Sequence, residues 1–437
     1  MRINRYVAGE LSGSQRATLM ARVQADFGPV EDTVREIVAA VREHGDRALV
    51  DYARELDGAE LALDGLKVTE AEFERARAEV PPELRDTLER AIANVRKHHR
   101  SQLTPATPMA EVAPGVMAGE RLTPITSVGL YVPRGKGSFP SVMTMLCTPA
   151  VLAEVPSISV CTPPAPDGSI DAASLVAAEL CGVTDVYKAG GAQAIAAMAF
   201  GTETVPRVQK LLGPGNRYVT AAKRLVYGWV DPGPPAGPSE SIVLCDSHAD
   251  PEIAARELLV EAEHGPDSAA LLVTDSGELA DAVAALVPPL VERLPQERRR
   301  YCEAVLGGYG GIVLMADMAE AIDFVNEYAP EHLRVLTENP MELLPRLRNA
   351  GEVLLGENAS IAFGNYSIGV NAILPTGGTA RSYSCVGVHD FLKWSSFAQV
   401  SREGVENVGP VALDLARYEG FPAHAEAARY VLERRSD

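Results

Sequence analysis

From about residue 120 onward, short apolar runs alternate with helical ones. Eight runs read as strands: SVGLYVP, SISVCTP, DVYKAGG, SIVLCD, AALLVTD, GGIVLMAD, HLRVLTE and GEVLLGE. Helical segments such as PEIAARELLVEAE and SGELADAVAALVPPLVERL fall between them. A strand without a polar face needs cover on both sides, and alternating helices supply it. The pattern therefore predicts an α/β fold with parallel sheets. The strands fall into two groups, one from about 127 to 240 and one beginning at SIVLCD. The Pro/Gly-rich DPGPPAGPSE between them marks a boundary. Residues 1 to about 110 read as helical, with EDTVREIVAAVREHGDRALVDYARELD and PPELRDTLERAIANVRKHHRSQ at helix spacing. Asp32 or Thr33 is a candidate cap for the first, and Pro81-Pro82 opens the second. His98 and His99 lie in a basic stretch that reads as solvated. The last fifty residues return to helices ending in AHAEAARYVLERR.

A chain of 437 residues exceeds one ordinary domain. Its net charge of −19 argues against nucleic acid and against an anionic membrane surface as partners. It leaves room for a small anionic substrate, which needs only a local positive site. The N-terminal MRINRYVAGELSGSQR has no apolar h-region, and no run reaches the length of a membrane span, so a cytoplasmic location is expected. Cys147, Cys161, Cys181, Cys245, Cys302 and Cys385 are scattered without a C-x-x-C pair and read as reduced, buried thiols.

Three Gly-rich turns follow strand candidates: YVPRGKGS at 131–138, KAGGAQA at 188–194 and LGPGNRYVT at 212–220. Each permits close approach of backbone to a ligand, and a turn that feeds a helix N-terminus offers N–H groups to phosphate. None is a GxGxxG, and each alone reads more readily as a plain tight turn; together in one domain they point to a nucleotide site. EAEHGPD puts Glu261 and His264 at i and i+3, a spacing that suits two zinc ligands as well as a helix-end ion pair. Asp250 and Pro251 read as the start of that helix and Gly265-Pro266 as its end. APEHLRV sets Glu331 beside His332 at the mouth of a strand, where acid and imidazole can share proton transfer. YEGFPAHAEA supplies Glu419 and His424 near the C-terminus. His44, His248 and His389 have no evident partners and read as structural.

Taken together, GLYVP, GGAQAIAAMAFGTETVPRVQKLLGPGNRYVTAAKR, PAGPSE, AEHGPDS, PEHL and ILPTGGTAR resemble the histidinol dehydrogenase family over nearly the whole chain. The resemblance implies an NAD- and zinc-dependent oxidoreductase that takes a primary alcohol through an aldehyde to a carboxylate. It implies two incomplete Rossmann-like domains with small terminal helical segments, and a homodimer with shared sites. The expected division is an N-terminal segment at 1–27, a first Rossmann-like domain at 28–128 and 241–386, a second at 129–240 and a C-terminal segment at 387–437. Carried over by motif, the zinc ligands fall on Glu261, His264, Asn365 and His424, the last reaching from the partner. The catalytic pair falls on Glu331 and His332, cofactor contacts on Tyr131, Gln193 and Asn216, and substrate contacts on Ser239, Glu419 and Asn365.

The chain departs from the family pattern in an informative way. Position 261 is normally Gln and position 365 normally Asp; here they are Glu and Asn, so the negative charge has moved between ligands while the total is kept. Ala372 in VNAILPT stands where the family has a substrate-contacting His, and Arg134 replaces a usual Gly. A site built around a polar bond loses selectivity when the bond is removed. The altered site resembles that of sulfopropanediol dehydrogenases, which implies (R)-2,3-dihydroxypropane-1-sulfonate as substrate and sulfolactate as product. L-Histidinol is the alternative, and a non-catalytic ligand-binding paralogue is a third reading. The partner is in either catalytic case a small polyol or amino alcohol.

Overall fold

The computed structural model describes residues 1, 3–22, 28–103, 109–134 and 137–434. Among them are thirteen strands: β1 (Arg5–Val7), β2 (Ala110–Ala113), β3 (Val116–Pro124), β4 (Ser127–Tyr131), β5 (Ser157–Thr162), β6 (Val186–Lys188), β7 (Lys210–Leu212), β8 (Glu240–Cys245), β9 (Ala269–Thr274), β10 (Gly311–Leu314), β11 (His332–Leu336), β12 (Glu352–Leu355) and β13 (Leu392–Val400). The chain divides into two compact units. One contains residues 1–102 and 125–391, the other 103–124 and 392–437.

The first unit holds two parallel sheets, ordered β1-β10-β9-β8-β11-β12 and β6-β5-β4-β7. All eight anticipated strands are present. Alternation along β8 shows why the larger sheet is covered on both faces: Val243 and Cys245 join one core cluster, Ile242 and Leu244 the other. The smaller sheet is backed by the Gly191–Phe200 helix, whose GAQAIAAMAF is almost entirely buried, small side chains letting helix and sheet approach closely. DPGPPAGPSE leads into β8, the strand that opens the second group.

Several elements differ from expectation. β1 is a three-residue strand in the stretch read as helical, and it pairs with β10 in the larger sheet. The first long helix runs Gly28–His44, so Asp32 and Thr33 are interior rather than capping. Its Val30, Val34, Ile37 and Val41 pack with Ile195, Met198 and Leu211 of the smaller sheet's layer. That packing does not match the expected grouping of 28–128 with 241–386. His99 is fully buried, not solvated, because it shares the inward face of the Pro82–Arg100 helix with Leu88, Ile92 and Val95.

The second unit is built on an antiparallel sheet, β13-β3-β2, with the Arg402–Tyr418 and Pro422–Glu433 helices packed on each other. The polar LKWSSFAQV of β13 had read as part of a helical segment; pairing along all nine residues with β3 makes it a strand. Among the described residues no helix is long and apolar enough to cross a membrane. All six cysteines are free thiols, five of them buried and Cys385 half-buried.

Candidate active site

Asp250 caps the Pro251–Val260 helix through Glu252 N, with Pro251 in its first turn. The regular helix stops at Val260, so Glu261 is its C-cap and His264 lies on the turn beyond it. The pair still meets: Glu261 Oε2 is 2.8 Å from His264 Nδ1. That contact is close but not an aligned hydrogen bond, since Oε2 is buried without a hydrogen-bond partner. Ser239 Oγ lies 3.0 Å from the same His264 nitrogen. Asn365, in the short Ile361–Tyr366 helix, donates from Nδ2 to Glu261 Oε1 at 3.2 Å. Its amide oxygen is thereby the atom left for a cation.

Glu331 and His332 enter from Ala329, a left-handed residue (φ 53°) that ends the Met318–Tyr328 helix and turns the chain into β11. His332 Nε2 is 3.8 Å from Glu261 Oε1 and 4.0 Å from Glu331 Oε1. Glu331 Oε2 accepts from Glu240 N at 2.8 Å. The elements meet in two layers. Glu257 and Glu261 share a helix face, Arg334 and His332 a strand face, and Ile361 and Asn365 a second helix face. In the inner layer Glu257 Oε2 lies 3.6 Å from Arg334 Nε and accepts from Ile361 N at 2.9 Å. One turn away, Glu261 faces His332 and Asn365. The inner ion pair fixes the register of the outer, reactive layer.

The electrostatics are those of a buried carboxylate cluster. Burial pushes Glu261 up, yet His264 and His332 outweigh it and hold the carboxyl down at about 2. Burial lowers His332, and Glu261, Glu352 and Glu331 reverse this and lift it to about 9. His264 is raised for the same reason, Glu261 overcoming its burial. Glu331 is pushed well above the usual carboxylate range by burial, against the pull of His332. Among the described residues no three His, Cys, Asp or Glu side chains converge as a metal shell. Glu261, His264 and the Asn365 oxygen supply three donors, and the under-bonded Glu261 Oε2 fits a cation. Zinc asks for four donors, so the set present here fits it short by one.

The cofactor candidates lie at the C-terminal ends of the smaller sheet's strands. From β4 the sheet grows through β5 to β6 on one side and gains β7 on the other, a topological switch point of the kind where open α/β sheets bind nucleotides. Tyr131 ends β4, buried, and its hydroxyl accepts from Gly191 N at 3.1 Å. Gln193 is buried in the first turn of the helix after β6, and its Oε1 has no partner. Asn216 follows β7 and caps the Arg217–Leu225 helix through Tyr218 N and Val219 N. Gly213 takes φ 123° against Tyr131 O, where any Cβ would collide. The orphaned Gln193 oxygen and this bare turn suit a dinucleotide. Residues 135 and 136 of YVPRGKGS lie outside the described residues; Arg134 is exposed and donates to Pro164 O.

Glu419 and His424 belong to the second unit, where both are exposed. Ala372 is half-buried and follows Asn371, which is held by Met145 O, His99 and Ile373 N. Three residues at the site were not anticipated. Glu352 Oε2 lies 2.9 Å from His332 Nδ1. Glu240 accepts from Gly377 N and pairs with Arg22, whose Nη1 is 2.9 Å away. Arg22 also stacks on Tyr328 and donates to the Tyr328 and Ala329 carbonyls that precede Glu331. The PAGPSE segment carried Glu240 in plain view; nothing local marks Arg22 or Glu352, since their partners come from distant segments.

Comparison with known proteins bears on this site. The family model described as histidinol dehydrogenase matches residues 20–432. A histidinol dehydrogenase from Synechocystis sp. is 50% identical over 419 residues, covering 96% of each chain. A histidinol dehydrogenase homolog from Cereibacter sphaeroides is 50% identical over 429 residues, covering 98% of this chain and 97% of its own. The crystal structure of histidinol dehydrogenase from Elizabethkingia anophelis superposes with a TM-score of 0.93 at 35% identity, over 99% of this chain and 98% of that one.

Proposed function

Because the chain belongs to the histidinol dehydrogenase family, NAD-dependent oxidoreductases acting on CH–OH donors, we propose that it oxidises a small primary alcohol through the aldehyde to the carboxylate. The observation that carries this reading is the buried cluster in which His332 Nε2 stands 3.8 Å from Glu261 and 4.0 Å from Glu331. Neither distance is a hydrogen bond, so His332 Nε2 keeps its bonding capacity for a reacting oxygen. When bound, NAD accepts hydride and zinc polarises the alcohol oxygen as a Lewis acid. His332, whose lift to about 9 comes chiefly from Glu261, would be neutral once a dication offsets that charge, and would then take the hydroxyl proton. Glu331, whose affinity for a proton burial raises well above that of an ordinary carboxylate, takes a proton from the water that adds to the aldehyde. Glu261, His264 and Asn365 would hold the zinc, with His424 of a second copy as the fourth ligand. Exposed Trp394, Phe397, Val411, Leu415 and Phe421 on the second unit favour such an assembly. Tyr131, Gln193 and Asn216 would line the NAD site; Ser239, Asn365 and Glu419 would contact substrate.

The substrate we favour is (R)-2,3-dihydroxypropane-1-sulfonate. Support comes from Ala372, which brings no imidazole to the position where the family carries one, and from the relocated ligand charge. L-Histidinol is the competing substrate, since relatives named as histidinol dehydrogenase and as a homolog are equally similar, at 50% identity. Purified enzyme with zinc and NAD is offered each alcohol separately. Two NADH formed per sulfonate consumed, with the carboxylate as product, supports the reading; turnover of L-histidinol alone overturns the substrate, and turnover of neither overturns the activity.

A further inference from the structure

We propose that Glu352 is a positioning residue for His332, holding the Nδ1 edge of the imidazole so that Nε2 is the nitrogen presented to substrate. This rests on the reading of His332 as the proton acceptor. The two residues are direct cross-strand partners, His332 opening β11 and Glu352 opening β12, so backbone pairing alone places their side chains together. Glu352 Oε2 lies 2.9 Å from His332 Nδ1, with side chains only 4% and 3% exposed. The opposite edge of the ring faces Glu261 and Glu331.

Fold stability does not explain this carboxylate. Two residues on along β12, the same strand face carries buried Leu354, and an apolar residue would suit position 352 as well. A buried charge with one partner is costly, and its retention calls for a use. Oε1 of Glu352 is buried without a hydrogen-bond partner, so the side chain is committed to His332 alone. Its slot is shaped for it: a Cβ at Gly364 would come within 2.7 Å of Oε1. A carboxylate on one imidazole nitrogen fixes which nitrogen bears the proton and how the ring is turned, the arrangement that orients functional histidines elsewhere.

The test is E352L, alone and in an H332A background, with ¹⁵N-histidine spectra of the zinc-loaded protein. The wild type should show a downfield, exchange-protected proton on His332 Nδ1, lost in E352L; this readout needs no turnover and so separates failure here from failure of the proposed reaction. With NAD and either (R)-2,3-dihydroxypropane-1-sulfonate or L-histidinol, whichever is oxidised, E352L should lower kcat about 10- to 100-fold and move KM less than about threefold. In the H332A background the same substitution should change kcat by less than about twofold, because the two residues act as one unit. An unaltered Nδ1 proton, a wild-type kcat, or losses that multiply in the double variant would overturn the assignment. Should E352L fail to fold, E352M, of similar length and without an oxygen acceptor, carries the same spectral test, and an unchanged His332 signal there is equally fatal.

Discussion

If Glu261 and Asn365 hold zinc as proposed, the variants E261Q, N365D and the two combined carry a quantitative prediction. The Glu261 carboxyl is held at about 2 against an ordinary 4.5, although it is fully buried. Net of the cost of burial, that difference is about 3 kcal/mol in favour of the anion, with the His264 and His332 charges outweighing the burial. A dication bound at Glu261 would stabilise the anion by at least as much. Removing the charge with E261Q should therefore weaken zinc by at least about a hundredfold. Asn365 Nδ2 lies 3.2 Å from Glu261 Oε1, so a carboxylate restored at 365 comes to bear on nearly the same point. The double variant E261Q/N365D should recover zinc affinity to within about tenfold of wild type, since ligand charge is again what the site was built around. N365D alone places two carboxylates side by side; it should melt lower than wild type without metal and bind zinc more tightly. Competition against a chromophoric chelator measures the affinities, and melting with and without zinc gives the companion readout. Wild-type zinc affinity in E261Q, or a double variant no better than E261Q, refutes the argument that charge rather than identity is what this ligand set keeps.

Arg22 should matter out of proportion to its distance in sequence: R22M leaves Glu240 buried and unpaired and should destabilise the protein by about 3–5 kcal/mol, with E240Q in the same chain restoring part of the lost melting temperature. Lys223 is fully buried beside Gly213 O at 2.5 Å and lowered by burial from 10.5 to about 8. Its folded value lies below its unfolded one, so charging the buried amine opposes folding below about pH 8, and that opposition fades as pH rises from 8 to 10.5. Wild type should thus gain stability relative to K223M across that window, by about 3 kcal/mol in full, and parallel melting curves at pH 7 and pH 10 would exclude it. If His424 completes the zinc shell of a second copy, H264A and H424A should each be inactive alone. Co-expressing them should restore about a quarter of wild-type activity, because half the dimers are mixed and each carries one intact site; no recovery would place both histidines in one subunit's site.

The sequence made the parallel α/β layers readable because buried strands are written as uninterrupted apolar runs, and each of the eight was found. What it concealed was short or two-faced. β1 has three residues, too few for any periodicity, and LKWSSFAQV of β13 breaks its apolar face at Ser396 and lies exposed from Lys393 onward. His99 was misread as solvated on account of its basic neighbours, although its spacing from Leu88, Ile92 and Val95 puts it on the inward stripe of its helix. The Glu261–His264 and Glu331–His332 pairs were legible because each is local, set by three residues or by one. Glu352 was not, since it reaches His332 only through strand pairing across twenty residues. Arg22 was hidden for the same reason, its partner Glu240 lying in another part of the chain.

The two-layer arrangement explains why the ligand charge can change sides at all. Glu257, Arg334 and the Ile361 amide lock the Pro251–Val260 helix, β11 and the Ile361–Tyr366 helix in register without help from the reactive residues. Arg334 is wholly buried there and also donates to the Leu354 carbonyl of β12 and to the Gly356 carbonyl just past it. Positions 261 and 365, one turn further out, therefore meet whatever side chains they carry, and a carboxylate on either projects into the same space. If these positions hold a cation as proposed, a carboxylate at 261 rather than at 365 keeps the ligand charge and puts an anionic oxygen 3.8 Å from His332 Nε2. The consequence falls on His332, which stands beside Glu261, is lifted by it, and has Glu352 Oε2 2.9 Å from its Nδ1. On the proposed reading, a site altered in this way would keep the groups that remove a proton and a hydride from an alcohol carbon and change only the surroundings that decide which alcohol.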